Sequence, residues 1–324
     1  MNPMSKNPVW QSIFQAESFA MRIADKIGFK KLRWSLRRLH VPVSKNALVL
    51  EVGAGGNPYP RANVLLDAME STIERIEKNL VTDRPLVLGL CEELPFKDKS
   101  FDFIIASHVL EHTDDPEKFL TELMRVGKAG YIETPEGWFE KMCAFTYHRL
   151  EVSADKDKLF IRKKHCWKPD EIAKLWDVKL AASKPLSEFL RINPDLNHLR
   201  FYWKDAIDFE IINPQCDASW PYPVETINKQ QDYANLKTSL ISIIRDLYLF
   251  SRRWLLSQNA RNKNLDIYSL IRCPSCHSDN LKISLSNAQM LKCSNCNSSY
   301  EILRDIPRLF PKQTDGFSQT RINN

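Results

Sequence analysis

The sequence predicts an α/β fold, a doubly wound and mostly parallel sheet, with an N-terminal helix before it and a small metal-binding module after it. Three observations carry this reading. From Ala47 onward, short apolar runs alternate with helical patterns, the texture of a parallel sheet covered on both faces. One of those runs ends in a glycine-rich turn, Gly53-Ala-Gly-Gly56. Near the C-terminus, Cys273, Cys276, Cys293 and Cys296 form two CxxC pairs.

A chain of 324 residues has room for one large α/β domain and a smaller module. With 43% hydrophobic and 27% charged residues it has the composition of a folded globular protein, not of a disordered chain. The net charge of +6 permits contact with RNA, phosphorylated sugars or membrane surfaces without requiring any of them. The N-terminus lacks an uninterrupted apolar core ahead of a small-residue cleavage site, and no window is long and apolar enough to span a bilayer. The expected location is the cytoplasm, and no transmembrane segment is expected.

The elements follow in order. Apolar side chains at Val9, Trp10, Ile13, Phe14, Ala20, Met21, Ala24 and Ile27 draw one face of a helix in an N-terminal segment, residues 1–40, that closes on Lys30, Lys31, Arg33, Arg37 and Arg38. The main domain is expected over 41–224. Strands are expected at Ala47–Val52, Val64–Leu66, Leu86–Leu88, Phe101–Ala106 and Tyr131–Ile132, with a helix at Pro116–Val126 capped by Asp114 or Asp115. The joint between the glycine turn and the second strand, Asn57-Pro-Tyr-Pro-Arg-Ala-Asn63, is too short and too proline-rich for a helix. Beyond Pro135 the pattern loosens. Helical texture is expected at Trp138–Tyr147 and Lys168–Trp176 and a strand at Leu159–Lys163, while Ser183–Val224 has no readable period. A helical connector (225–270, its helix at Lys237–Leu256), the cysteine module (271–311) and a tail (312–324) complete the chain.

Chemistry concentrates in four blocks. Leu48-Val-Leu-Glu-Val-Gly-Ala-Gly-Gly56 is a strand entering a turn whose glycines let the backbone approach a ligand. Glu51 at the strand's end suits a ligand ammonium, and Asp67 at the end of the next strand suits a ribose diol. Downstream come Cys91-Glu-Glu-Leu-Pro-Phe96 and Ser100-Phe-Asp-Phe-Ile-Ile-Ala-Ser-His-Val-Leu-Glu-His112, then Asp115-Pro116. Together, across about Leu48 to Pro135, these blocks resemble the class I S-adenosylmethionine-dependent methyltransferases with a Rossmann-like fold, especially the family that includes the ubiquinone-biosynthesis enzymes. The resemblance implies that S-adenosylmethionine binds with Glu51, Gly53 and Gly55 at its methionine end and Asp67 at its ribose. It also places Cys91 and Glu92 at the adenine and Ser107 at the end of the fourth strand beside the cofactor. Where the family commonly has an acid this chain has Leu90, so the adenine contact falls to backbone groups or to Glu92.

Methyl transfer needs an acceptor held in line with the sulfonium, and a base only where the acceptor loses a proton. His112 and His148 are the favoured catalytic candidates, with His108, Arg149 and His165 as further substrate-side groups. No Asn-Pro-Pro-aromatic run follows the fourth strand, which speaks against adenine and glutamine amino-group methylation. The expected acceptor is a small molecule or glycan-type metabolite. The alternatives are an rRNA or tRNA acceptor and a scaffold without catalysis.

The knuckles Cys273-Pro-Ser-Cys276 and Cys293-Ser-Asn-Cys296 offer four thiolates for a closed, structural Zn2+ site. Their surroundings, Leu270-Ile-Arg-Cys-Pro-Ser-Cys and Cys-Asn-Ser-Ser-Tyr-Glu-Ile-Leu-Arg-Asp-Ile-Pro, resemble a zinc-ribbon family whose members include a small activator of tRNA and translation-factor methyltransferases. The resemblance implies a ribbon that packs on the catalytic domain or presents substrate.

Overall fold

Four apolar runs of three to five residues become parallel strands because their side chains are shielded on both faces of the sheet. The computed structural model describes residues 17–70, 79–143, 145–221, 247, 251, 262, 265–284 and 289–311. The chain divides into two units: residues 48–107, 115–128 and 223–324 in one, and residues 1–47, 108–114 and 129–222 in the other.

The first, the parallel-sheet unit, carries β1 (Val49–Val52), β2 (Val64–Asp67), β3 (Leu86–Leu88) and β4 (Phe103–Ser107), ordered β3-β2-β1-β4. Leu50 sits opposite Val64 and Ile104, and Leu65 opposite Leu86, so the strands run parallel and their carboxyl ends share one edge. The fourth strand begins at Phe103, not at Phe101, because Asp102 turns its carboxylate back onto the Leu48 amide (2.8 Å). Helix α1 is Phe19–Lys26, α2 is Lys30–Leu36, and α3 is Pro116–Val126. α3 opens with Asp115 accepting from the Lys118 amide and Pro116 in its first turn, and it buries Phe119, Leu120, Leu123 and Val126. Gly127 ends it where a Cβ would lie 2.7 Å from Ile104 Cδ1, so a larger residue would have to displace the buried Ile104 side chain. As expected, the joint between the glycine turn and β2 stays non-helical, with Tyr59 1% exposed.

The cysteine module belongs to the same unit. It is an antiparallel sheet of β10 (Leu281–Ile283), β11 (Met290–Cys293), β12 (Ser299–Leu303) and β13 (Ile306–Pro307). Its two ends are stitched to the parallel sheet's side by backbone bonds. Lys97 donates to Leu270 (2.9 Å), Arg272 to Pro95 (3.0 Å), and Leu309 to Leu88 at the end of β3 (2.7 Å). Arg272 also reaches Asp98 (2.9 Å), and Arg308 reaches Glu70 (2.7 Å).

The other, the histidine unit, holds α1 and α2, the antiparallel pair β5 (Ala129–Pro135) and β8 (His198–Lys204), and the sheet β6 (Leu150–Asp155), β7 (Lys158–Lys163) and β9 (Asp208–Ile211). It also holds α4 (Gly137–Cys143), α5 (Glu171–Ala182) and α6 (Lys184–Ile192). The expected helix from Val9 is described only from Phe19, and residues 9–16 lie outside the described residues, as does nearly all of the expected helix at 237–256 and the tail from 312. Among the described residues no helix is long and apolar enough to cross a membrane. The strand set and helices together make the Rossmann-like α/β fold that the sequence predicts, with the small four-cysteine sheet attached.

Candidate functional site

The residues assigned to a cofactor lie at the carboxyl edge of the parallel strands, where ligands bind in open α/β sheets. Glu51 is the penultimate residue of β1 and Gly53 follows its end, Asp67 ends β2, Cys91 and Glu92 lie in a 3-10 turn after β3, and Ser107 ends β4. Gly53 (φ 67°) and Gly55 (φ 57°) both occupy the left-handed region, which a side chain would disfavour, so the turn depends on glycine at both positions. Asp67 organises that turn. One of its carboxylate oxygens accepts from the Gly55 amide (2.9 Å) and the other from the Met69 amide (3.1 Å). Glu51, 3% exposed, accepts from the Tyr59 amide (2.7 Å) and so pins the short joint against the end of β1. Cys91 lies 3.2 Å from the Glu92 carboxylate. Arg125 of α3 holds the following segment by donating to Leu94 and Phe96 (2.7 Å each).

The catalytic candidates come together in the histidine unit. His112 and His148 meet edge to face with ring centroids 4.7 Å apart, and Tyr147 stacks on His112 at 6.1 Å. His148 Nδ1 lies 2.6 Å from Glu140, which is 1% exposed and also paired with Lys164. His165 is exposed. Arg149, adjacent to His148, is buried. It donates to the carbonyls of Ala218 and Trp220 and lies over the Trp220 ring at 4.5 Å.

Three carboxylates that sequence reasoning left without a role organise this region. Glu111, 1% exposed, lies 3.1 Å from His108 Nδ1. Glu133 on β5 is fully buried, receives both arms of Arg37 at 2.7 Å, and lies 3.4 Å from His108 Nε2. The third is Glu140. A charged residue inside the otherwise apolar run Tyr131-Ile-Glu-Thr was the available signal for Glu133, since a buried charge requires a partner. The signal for Glu111 was its spacing three residues after His108.

Electrostatics follow from the contacts. The His108 side chain is 40% exposed, so burial opposes its charge only in part, and the hydrogen bonds and charges of Glu111 and Glu133 outweigh that cost and push it up to about 10. Burial likewise opposes charge on Glu111, yet the hydrogen bond from His108 and the neighbouring His112 and His148 bring it down to about 2. Glu133 is held well below the usual carboxylate range, burial being overcome by Arg37 and His108. Because the folded pKa of His108 is raised, its stabilising contribution is complete below about pH 6.5. That contribution is lost as pH rises through about 10. In an NMR titration His108 is expected to remain an imidazolium through neutral pH, and Glu133→Gln is expected to lower its midpoint. A wild-type midpoint near 6.5 would contradict this electrostatic account.

With the geometry in place, comparison with known proteins locates the domain. Residues 50–132, from β1 into β5, match the family described as methyltransferase domain. An uncharacterized protein of Methanocaldococcus jannaschii is 29% identical over 109 residues, covering 33% of this chain and 50% of that protein. The ubiquinone/menaquinone biosynthesis C-methyltransferase of Stenotrophomonas maltophilia is 30% identical over 122 residues, covering 34% of this chain and 45% of that enzyme. The chain thus spans about half the length of the curated relatives it matches. Among solved structures, an S-adenosylmethionine-dependent methyltransferase from Mesorhizobium loti aligns at 12% identity with a TM-score of 0.31, covering 53% of this chain and 96% of that one.

Proposed function

We propose that this chain is an S-adenosylmethionine-dependent methyltransferase whose cofactor is held by Glu51, Gly53, Gly55, Asp67, Cys91, Glu92 and Ser107, and whose acceptor is a small molecule or glycan-type metabolite. The observation that carries the reading is the gathering of these residues on one carboxyl edge, inside a stretch that matches a methyltransferase domain. The residues fit the group chemically. Two left-handed glycines let the backbone of the turn approach a ligand, and Asp67, whose carboxylate organises that turn through the Gly55 and Met69 amides, stands at the end of β2 where a ribose would lie. When bound, S-adenosylmethionine supplies an electrophilic methyl group. The chain's own part is to bind and orient it at the strand ends, and positioning of the acceptor provides most of the rate. The absence of an Asn-Pro-Pro-aromatic run and the modest net charge of +6 support a small acceptor.

The same reading gives the ribbon a structural Zn2+ on Cys273, Cys276, Cys293 and Cys296. The sulfurs of Cys273 and Cys296 lie 3.6 Å apart, as do those of Cys276 and Cys293. Four thiolates at about 2.3 Å from one tetrahedral ion would be separated by about 3.8 Å. Those two pairs already stand near the separation the ion requires, and all four sulfurs lie within 4.8 Å of one another.

Calorimetric titration of the zinc-loaded chain with S-adenosylmethionine and S-adenosylhomocysteine tests the proposal. Asp67→Ala removes a charged acceptor of hydrogen bonds, and an affinity loss of about 10- to 100-fold is expected, with Asp67→Asn between the two. A ligand at ~100 times its dissociation constant would stabilise the fold by about 2.7 kcal/mol, visible as a higher melting temperature. Absence of binding to a cooperatively folded chain overturns the enzyme reading.

A further inference from the structure

The histidine unit contains a second ligand-like cluster, separate from the four cysteines. Glu111, His112 and His148 each offer one donor atom, and these atoms all lie within 4.8 Å of one another. Two are nearly sealed from solvent, Glu111 at 1% exposure and His148 at 7%.

We infer that Glu111, His112 and His148 form a binding site for one divalent transition-metal ion. Donors bound at about 2.0–2.2 Å to one tetrahedral ion stand about 3.3–3.6 Å apart, so donors within 4.8 Å of one another need to close by at most about 1.5 Å, within reach of side-chain rotation. Two imidazoles and a carboxylate are a donor set that suits Zn2+ and its neighbours in the first transition row.

Two further observations point the same way. Glu111 uses one carboxylate oxygen toward His108 (3.1 Å), while its other oxygen, Oε2, is buried with no hydrogen-bond partner among the described residues. A buried carboxylate oxygen without a partner is costly, and a cation supplies what is missing. His148 has the support expected of a metal ligand. Its Nδ1 is 2.6 Å from Glu140, which directs the Nδ1 proton to the carboxylate and leaves the Nε2 lone pair for an ion. Glu140 is itself buried and held by Lys164, so the imidazole's orientation is braced from behind. The backbone brings the elements together, for the Arg149 amide donates to the Glu111 carbonyl (2.6 Å) beside both histidines. Three protein ligands leave a coordination position for water or an acceptor oxygen, in contrast to the closed four-cysteine site.

The test is a metal count and titration on the full chain, independent of methyl transfer, so its failure and that of the cofactor reading can be told apart. Elemental analysis of chain equilibrated with Zn2+ is expected to give two equivalents. Glu111→Gln and His112→Gln are expected to retain one, and that ribbon equivalent serves as an internal control for folding. Glu140→Gln is expected to weaken the second equivalent about 10- to 100-fold without abolishing it. Should a variant lose both equivalents, the wild type decides. Co2+ added to chain with zinc in the ribbon is expected to give a saturable one-to-one spectrum lacking thiolate charge transfer. A single equivalent in the wild type overturns the site, as does a second one that persists in folded Glu111→Gln and His112→Gln.

Discussion

Arg37→Met is expected to destabilise the chain by about 3–5 kcal/mol, the effect of leaving a buried carboxylate without its counter-charge. Glu133 is 0% exposed, and both arms of Arg37 reach it at 2.7 Å. His108 and Tyr131 remain, but neither matches a bidentate guanidinium. Arg37 also donates to the Trp34 carbonyl (2.8 Å) and lies 3.7 Å over the Trp34 ring, so lysine cannot replace it. Double replacement, Arg37→Met with Glu133→Gln, is expected to recover most of the loss because the uncompensated charge disappears. The pH dependence has a defined sign. The folded pKa of Glu133 is depressed, so its contribution is present above the unfolded value of about 4.3 and is lost as pH falls through the folded one. In the single variant burial instead favours the neutral acid, and the deficit shrinks on acidification. Urea unfolding followed by Trp34 fluorescence at neutral and acid pH measures both effects. A loss below ~1 kcal/mol at neutral pH would mean that the ion pair is not sequestered.

The two units differ in how much of them can be read from sequence, and the reason is physical. Runs such as Leu48–Val52 and Phe103–Ala106 are apolar throughout because their strands are buried on both faces, and α3 combines period, cap and N-terminal proline. In β5 only Tyr131 and Ile132 look strand-like, yet burial extends from Gly130 to Pro135 because the charge on Glu133 is neutralised by residues far away in sequence. The alternation Leu199, Phe201, Trp203 of β8 was present but obscured by the prolines and aromatics around it. β6 was missed because its hairpin turns through Lys156 at φ 55°, a conformation not signalled by glycine. The site divides similarly. Glycines and acids at strand ends announce themselves locally, whereas the Glu140–His148 and Glu111–His108 pairings exist only once the chain has folded.

Removing the Zn2+ proposed for the ribbon is expected to unfold β10–β13 while leaving β1 and β2 intact. The module is too small to hold itself together by apolar burial, relying on Leu281, Leu291, Tyr300 and Ile302 with Ile271 and Leu309 at its ends. Zinc contributes on the order of 10–16 kcal/mol to folding of comparable zinc-finger peptides, far more than such a core supplies. The consequence extends beyond the ribbon. Leu309 donates to Leu88, and its carbonyl approaches so closely that a Cβ at Gly89 would lie 3.0 Å from it. The Gly89 amide in turn donates to the Asp67 carbonyl (2.9 Å), linking the seam to a proposed cofactor residue. Chelation, or Cys276→Ser, is therefore expected to abolish hydrogen-exchange protection from Leu281 to Leu303 and at Leu309. The amides of Val64–Leu66 should stay protected, and S-adenosylhomocysteine affinity should fall about 10-fold as the end of β3 loosens. Persistence of ribbon protection in metal-free chain would show that packing, not zinc, holds the module. Loss of protection with unchanged affinity would show that the seam does not support the cofactor edge.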